Sequence, residues 1–149
     1  MDNIDRDILR ELQKDGRLTI QELAGRVGLT SSPCMRRVRQ LEQDGVIEGY
    51  RAVVNPAAVG RGFEVLVSVE RDTRSVAEFE AALLTIPEVV EAYRLMGSPG
   101  CLLRVAVADL AAYEKLWTEK LTALPGATAV NSQIIMKPIK QPGGLPVDR

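Results

Sequence analysis

Histidine is absent from this sequence, and cysteine and aromatic residues are scarce, with two cysteines and 4% aromatics. The missing histidine excludes imidazole acid–base chemistry, histidine metal ligation and a Ser-His-Asp triad. Cys34 and Cys101 are too few for a disulfide framework, so we expect two buried thiols in a reducing compartment. There is no run of eighteen apolar residues and no secretion signal at the start. We therefore expect a soluble, cytoplasmic protein without membrane contact, metal or cofactor.

Charge is uneven along the chain although its sum is nearly zero. The 149 residues carry a formal net charge of −1 and suffice for one or two small domains. The net charge therefore gives no support for nucleic-acid binding, which would need a local concentration of positive charge. One such concentration lies between Glu22 and Glu42, where there is no acidic residue and there are four arginines: Arg26, Arg36, Arg37 and Arg39.

Residues 30–42 are predicted to form a helix with two different faces. Thr30 can cap it through its hydroxyl. Cys34, Val38 and Leu41 share one stripe at about 100° per residue and should be buried. The opposite side carries Ser32, Arg36, Arg39 and Gln43, with Gln40 beside them. Such a cationic face suits phosphate and base-edge contacts. From this helix alone, a solvated surface helix of a small bundle is an equally good interpretation.

Two shorter helices precede it and complete a helix-turn-helix pattern. Residues 3–14 carry apolar side chains at helical spacing, and Asp15 to Arg17 end this helix. Thr19 and Glu22 form a capping box for the second helix, which Gly28 stops. The short link to Thr30 leaves room only for a tight turn, as in a helix-turn-helix. Residues 46–54 are predicted to form a small hairpin, a wing that could place Arg51 near a phosphate.

Residues 4–54 resemble the winged helix-turn-helix of the Lrp/AsnC family of transcription regulators. The matching residues are Ile4-Asp5, Ile8-Leu9, Leu12, Asp15-Gly16-Arg17, Glu22-Leu23-Ala24, Val27-Gly28-Leu29, Ser32, Cys34, Arg37-Val38, Leu41-Glu42 and Gly45-Val46-Ile47. The resemblance implies binding to double-stranded DNA. The predicted DNA-contacting residues are Ser31, Ser32, Met35, Arg36, Arg37, Arg39, Gln40 and Arg51. For Arg37, a phosphate contact and an ion pair with an acid such as Glu42 are equally supported.

A second domain is predicted over residues 63–140, after a domain over 1–54 and a linker over 55–62. Strands are expected at 63–70, 89–96, 101–107 and 127–139. Helices should begin at Ser75, in a capping box with Glu78, and at Asp109. The order β-α-β-β-α-β predicts an α+β, ferredoxin-like domain with an antiparallel sheet and both helices on one face. Residues 141–149 are predicted to be a loose tail.

The other face of this sheet also requires a cover. Val65, Val67 and Val69 are assigned to one side and Phe63 and Leu66 to a mixed other side, which a second subunit would cover. The family resemblance likewise implies homodimers, often tetramers of dimers. It further implies an amino-acid effector, bound between dimers near the turn that joins the second and third strands.

That turn departs from the usual family pattern of Gly, two variable residues, Asp, an aromatic residue and Leu. Gly97 and Leu102 are kept, but Gly100 and Cys101 replace the acid and the aromatic. Without the resemblance, the glycines are more simply explained as hairpin residues. The resemblance places the effector at Met96, Gly97, Ser98, Pro99, Gly100 and Ser132. Loss of an anionic partner for an ammonium group predicts weak or altered amino-acid sensing.

Three classes of function remain after these observations. The first is a sequence-specific transcription regulator modulated by an amino acid. The second is a DNA-compacting protein with little sequence preference, which suits the altered turn. The third is an enzyme: sirohaem decarboxylases are similar in overall plan, but they depend on histidines, and this chain has none. We therefore expect no enzymatic activity.

Overall fold

The computed structural model describes residues 1–148 and divides the chain into two units. Unit 1 comprises residues 1–53 and the tail from residue 139, and unit 2 comprises Val54–Pro138. No helix among residues 1–148 is long and apolar enough to cross a membrane.

Unit 1 contains three helices: α1 over Asn3–Lys14, α2 over Ile20–Val27 and α3 over Ser31–Gln43. Reciprocal side-chain-to-backbone hydrogen bonds form a capping box at the start of α1, between Asp2 and Asp5. The predicted box of Thr19 and Glu22 is confirmed at the start of α2. Gly28 ends α2 with φ 71°, a left-handed conformation that favours glycine.

The three helices bury one shared apolar core. Its fully or nearly buried members are Ile8, Leu23, Ala24, Cys34, Val38 and Leu41. The predicted stripe of α3 is therefore confirmed. Burial also raises the pKa of the Cys34 thiol, which disfavours the reactive thiolate and agrees with a packing role.

Two local predictions for unit 1 are wrong. Thr30 occupies the cap position of α3, but its hydroxyl accepts no hydrogen bond from the first turn. Residues 46–54, all within the described part of the chain, form no strand, so the wing hairpin is absent. The reason is local, since the amides of Val46 and Ile47 both donate to the Leu41 carbonyl, at 2.9 and 3.0 Å. These donors bond back to the end of α3 and are not available to a strand partner.

The tail differs from the loose segment expected from its composition. Gln13 Nε2 donates to the Leu145 carbonyl at 3.0 Å, and the Leu145 amide donates back to Gln13 Oε1. Arg10 Nε donates to the Val147 carbonyl at 3.0 Å. The polar edge of α1 thus satisfies backbone groups of an extended segment, which needs no regular secondary structure of its own.

Unit 2 has the predicted order β-α-β-β-α-β. Its strands are β1 over Phe63–Arg71, β2 over Val89–Arg94, β3 over Cys101–Val107 and β4 over Ala127–Ile134. Its helices are α4 over Val76–Leu84 and α5 over Leu110–Leu116, which continues into a π-helical turn over Trp117–Leu121. All pairings are antiparallel in the order β2-β3-β1-β4. The ferredoxin-like prediction is therefore confirmed.

Two predictions for unit 2 need correction: the end of its fourth strand and the cap of its first helix. The fourth strand is predicted to reach residue 139, but β4 ends at Ile134, which pairs with Val65 of β1. The predicted cap at Ser75 is wrong, since that side chain makes no cap hydrogen bond. Asp72 takes this place by accepting a bond from the Arg74 amide, at the start of a short 3-10 helix over Thr73–Ser75.

One face of the sheet packs against the two helices. Val65, Val67 and Val69 are fully buried there, with Phe79 of α4 and Tyr113 of α5. Phe63 packs on the same side, with its ring centroid 6.4 Å from that of Tyr113. Its assignment to the opposite face is therefore wrong, because residues two apart in a strand share a face.

The other face of the sheet, which we call the open face, carries no helix of unit 2. Its middle holds two half-buried leucines: Leu66 of β1, which pairs with Arg104 of β3, and Leu102 of β3, which pairs with Ser68 of β1. Arg104 donates to Glu64 of β1 and to Glu91 of β2, the latter at 2.7 Å. These contacts join three strands and raise the pKa of the guanidinium, with Glu91 as the larger cause.

Candidate DNA-binding and effector sites

Helix α3 presents most of the predicted DNA-contacting side chains to solvent. Ser31, Ser32, Met35, Arg36, Arg39 and Gln40 are all exposed. The core residues Cys34, Val38 and Leu41 fix the rotation of the helix, so the exposed set lies on the remaining faces. Gln40 Nε2 donates to Asp44 at 2.8 Å, which orients this amide along the helix.

Arg36 and Arg39 are the free cations of this surface. Neither lies within salt-bridge distance of an acid in residues 1–148. A guanidinium without a protein partner has all its donors available, and it can bind a phosphate or a guanine edge in bidentate fashion. The chemistry available here is therefore anion binding and base-edge hydrogen bonding.

Arg37 has a different role from Arg36 and Arg39. Its Nη1 atom lies 2.8 Å from Asp2 and 2.7 Å from Asp5, the two capping residues of α1. Hydrogen bonds to Asp5 and Asp2 raise the pKa of Arg37. The Asp5 amide, together with Arg37, lowers the pKa of Asp2. Arg37 therefore joins α3 to the start of α1, and the ion-pair alternative holds with Asp2 and Asp5, not Glu42.

Arg51 is exposed in the irregular segment that replaces the predicted hairpin. Beside it, the Tyr50 hydroxyl donates to Glu42 Oε1 of α3 at 3.0 Å. Partial burial and this carboxylate raise the pKa of Tyr50 to about 12. The Tyr50–Glu42 bond thereby ties the segment that carries Arg51 to α3.

The turn between β2 and β3 contains five of the six predicted effector residues. The Leu95 amide donates to the Gly100 carbonyl at 3.0 Å, Gly97 has φ 99°, and the Ser98–Pro99 bond is cis. Met96 is fully exposed. An ideal Cβ atom built on Gly97 would meet nothing within 4 Å. The backbone here is accessible to a ligand.

Ser132 does not join this turn within the chain. It pairs with Val67, so its side chain lies on the helix-packed face of the sheet. There its hydroxyl lies 2.6 Å from the Tyr113 hydroxyl, in a depression of about 340 Å³ that α5 also lines. The predicted effector set is thus divided between two places.

A carboxylate that the sequence did not point to lies beside the turn. The Ser98 hydroxyl donates to Glu70 Oε1 of β1. Glu70 follows Val69, which pairs with Cys101, the first residue after the turn. The sequence predicts both strands but not the register that brings Glu70 opposite this turn, so no local signal identified it.

Comparison with known proteins identifies both units. Residues 1–48 match the family model described as winged helix-turn-helix DNA-binding, and residues 64–145 match the Lrp/AsnC ligand binding domain. The chain is 41% identical over 148 residues to the leucine-responsive regulatory protein of Salmonella typhimurium, covering 97% of this chain and 90% of the relative. Identity to the Escherichia coli K12 protein of that name is 40%, with the same coverage.

Solved structures agree over nearly the full length. A transcriptional regulator from Neisseria meningitidis, in complex with L-Met, superposes with a TM-score of 0.95 at 33% identity, covering 99% of this chain and 97% of that one. An AsnC family transcriptional regulator from Agrobacterium tumefaciens gives 0.90 at 38% identity, covering 98% and 97%. With a DNA-binding unit and a ligand-binding unit both matched in order, this chain belongs to the Lrp/AsnC family of transcriptional regulators.

Proposed function

We propose that this protein is a sequence-specific transcription regulator whose DNA binding responds to an amino acid. The observation that carries the DNA-binding half is the exposed face of α3, where Arg36 and Arg39 have no acid partner within residues 1–148. A packed three-helix core holds this face in place. We assign base contacts to Ser32, Arg36, Arg39 and Gln40, and phosphate contacts to Ser31 and Arg51.

The proposed response to an amino acid is supported by unit 2 and by a relative. The Neisseria meningitidis regulator, which shares this fold along its whole length, was solved with L-Met bound. In this chain the accessible backbone of the 96–100 turn is suited to hold a ligand carboxylate through amide groups. We propose that an amino acid binds at this turn, at a contact between dimers.

The proposed assembly uses the open face of the sheet. Leu66 and Leu102 lie there half-buried in the single chain, around the Arg104 ion pairs. A second copy would complete their burial, and we propose a homodimer formed through this face, with a tetramer of dimers as the larger assembly. Two reading helices related by a two-fold axis would then bind a roughly palindromic operator.

The second candidate is a DNA-compacting protein with little sequence preference, favoured by the absence of an acid in the 96–100 turn. A selection of bound duplexes from random DNA, repeated with each standard amino acid, tests the regulator. Salt titrations on a selected and a scrambled duplex then separate the two candidates, since both share the phosphate contribution. A large specificity ratio supports the regulator, and equal affinities contradict it.

A further inference from the structure

We propose that Glu70, on β1, supplies the carboxylate that holds the ammonium group of an amino-acid effector at the 96–100 turn. This inference rests on the proposed effector function and adds to it the residue that recognises the amine. The turn itself, Met96 to Gly100, contains no charged side chain. Any charge recognition at this end of the sheet must therefore come from a neighbouring strand.

Glu70 reaches the turn through Ser98. The Ser98 hydroxyl donates to Glu70 Oε1, and this bond holds the carboxylate against the turn. The hydroxyl uses only one of the acceptor sites that two carboxylate oxygens provide. The remaining sites are available to a donor that approaches from solvent.

The charge of Glu70 is not neutralised within the described chain. Glu64 and Glu91, on the same open face, are both paired with Arg104. Glu70, in contrast, has no ion pair with any base among residues 1–148. The neighbouring Arg71 forms no ion pair with Glu70, and its guanidinium carbon lies 5.7 Å from the centre of the Phe79 ring. A half-buried carboxylate without a cation is suited to accept one from a ligand.

The surroundings define the chemical class of that ligand. A Cβ atom added at Gly97 would meet nothing within 4 Å, and one added at Gly100 would meet only Arg71 Cγ, at 3.9 Å, so there is space above this backbone. Met96 offers a fully exposed thioether side chain next to this space. A free ammonium on Glu70, a carboxylate on the turn amides and an apolar side chain on Met96 together describe an α-amino acid with an apolar side chain.

Calorimetry on the full-length protein tests this assignment with L-methionine and N-acetyl-L-methionine, which lacks the ammonium charge. Wild type should bind L-methionine and bind the acetylated form much more weakly. Glu70→Gln should weaken L-methionine binding about ten- to a hundredfold, the loss expected for one charge-assisted hydrogen bond. It should also remove the discrimination against the acetylated form. Glu78→Gln, an exposed acid of α4, is the matched control and should bind as wild type does.

Two further variants control for structural effects. Glu70→Asp keeps the charge and should retain the discrimination. Ser98→Ala removes the orienting hydroxyl but not the charge and should lose less affinity than Glu70→Gln. If Glu70→Gln binds L-methionine as tightly as wild type, the assignment is wrong while the effector function stands. If wild type binds neither compound, the assignment is also wrong, and duplex titration shows separately whether the DNA-binding function stands.

Discussion

Replacing Arg36 and Arg37 one at a time by glutamine should change DNA binding and stability in different ways. Arg36 has no acid partner in residues 1–148, so Arg36→Gln breaks no intramolecular ion pair and should leave the melting temperature unchanged. Arg37→Gln removes both contacts with Asp2 and Asp5 and should lower it. The two changes are chemically identical and adjacent, which makes each the reference for the other.

The magnitude for Arg36 follows from its assigned base contact. Losing such a contact should cost about 1–3 kcal/mol on the selected duplex and little on a scrambled one. A phosphate contact would instead lower the slope of log affinity against log salt concentration by about 0.9 per bound subunit. Arg37→Gln should leave the slope unchanged, because its charge already lies against two carboxylates, and should weaken binding to all sequences alike.

Fluorescence anisotropy with labelled duplexes at several KCl concentrations measures these slopes, and circular dichroism measures the melting temperatures. Arg74→Gln, which removes one exposed positive charge from unit 2, is the control for net charge. Unchanged affinity of Arg36→Gln on every duplex would refute the assignment of α3 as the reading helix. A reduced slope with an unchanged melting temperature for Arg37→Gln would refute the role of Arg37 as a link between helices.

Four other outcomes are expected. Light scattering at micromolar concentration should show a dimer or larger assembly, and a monomer would contradict the use of the open face. Because the pKa of Asp2 is lowered in the folded protein, its stabilising contribution is present above the ordinary value of 3.8 and is lost as pH falls through the lower folded value. Acid unfolding monitored by circular dichroism should therefore depend less on pH in Asp2→Ala. Tyr50→Phe should remove the rise in phenolate absorbance near the Tyr50 pKa of about 12. If that rise persists in the variant, another tyrosine causes it. Gly100→Asp should improve L-methionine binding less than tenfold if Glu70 already supplies the acid, and calorimetry showing a larger gain would contradict that.

The sequence predicted those features that depend on neighbours in the chain. The buried stripe of α3 follows from helical periodicity, and the capping box of Thr19 and Glu22 from a three-residue spacing. The order of elements in unit 2 was sufficient to predict its antiparallel sheet.

Features that depend on distant pairing were predicted poorly. Arg37 finds its acids 32 and 35 residues earlier in the chain, so its partner could not be chosen from local spacing. Glu70 and Ser98 are 28 residues apart and meet only through the register of β1 and β3. The family resemblance predicted that Ser132 joins the 96–100 turn in one effector site. Its pairing with Val67 instead places its side chain on the helix-packed face of the sheet. The hairpin prediction over residues 46–54 was wrong, because apolar residues on both sides of Gly49 do not show that a strand partner exists.

The docking of the tail on α1 has a consequence for the order in which the protein is made. Unit 1 includes residues 1–53 and the segment from residue 139, so its last piece is translated only after the whole of unit 2. Until then, Arg10 and Gln13 lack the backbone groups of Val147 and Leu145 that they bind in the finished chain. An isolated fragment that stops at residue 53 has the same deficiency permanently. Studies of DNA recognition with such a fragment would therefore use a helix α1 that lacks its final contacts.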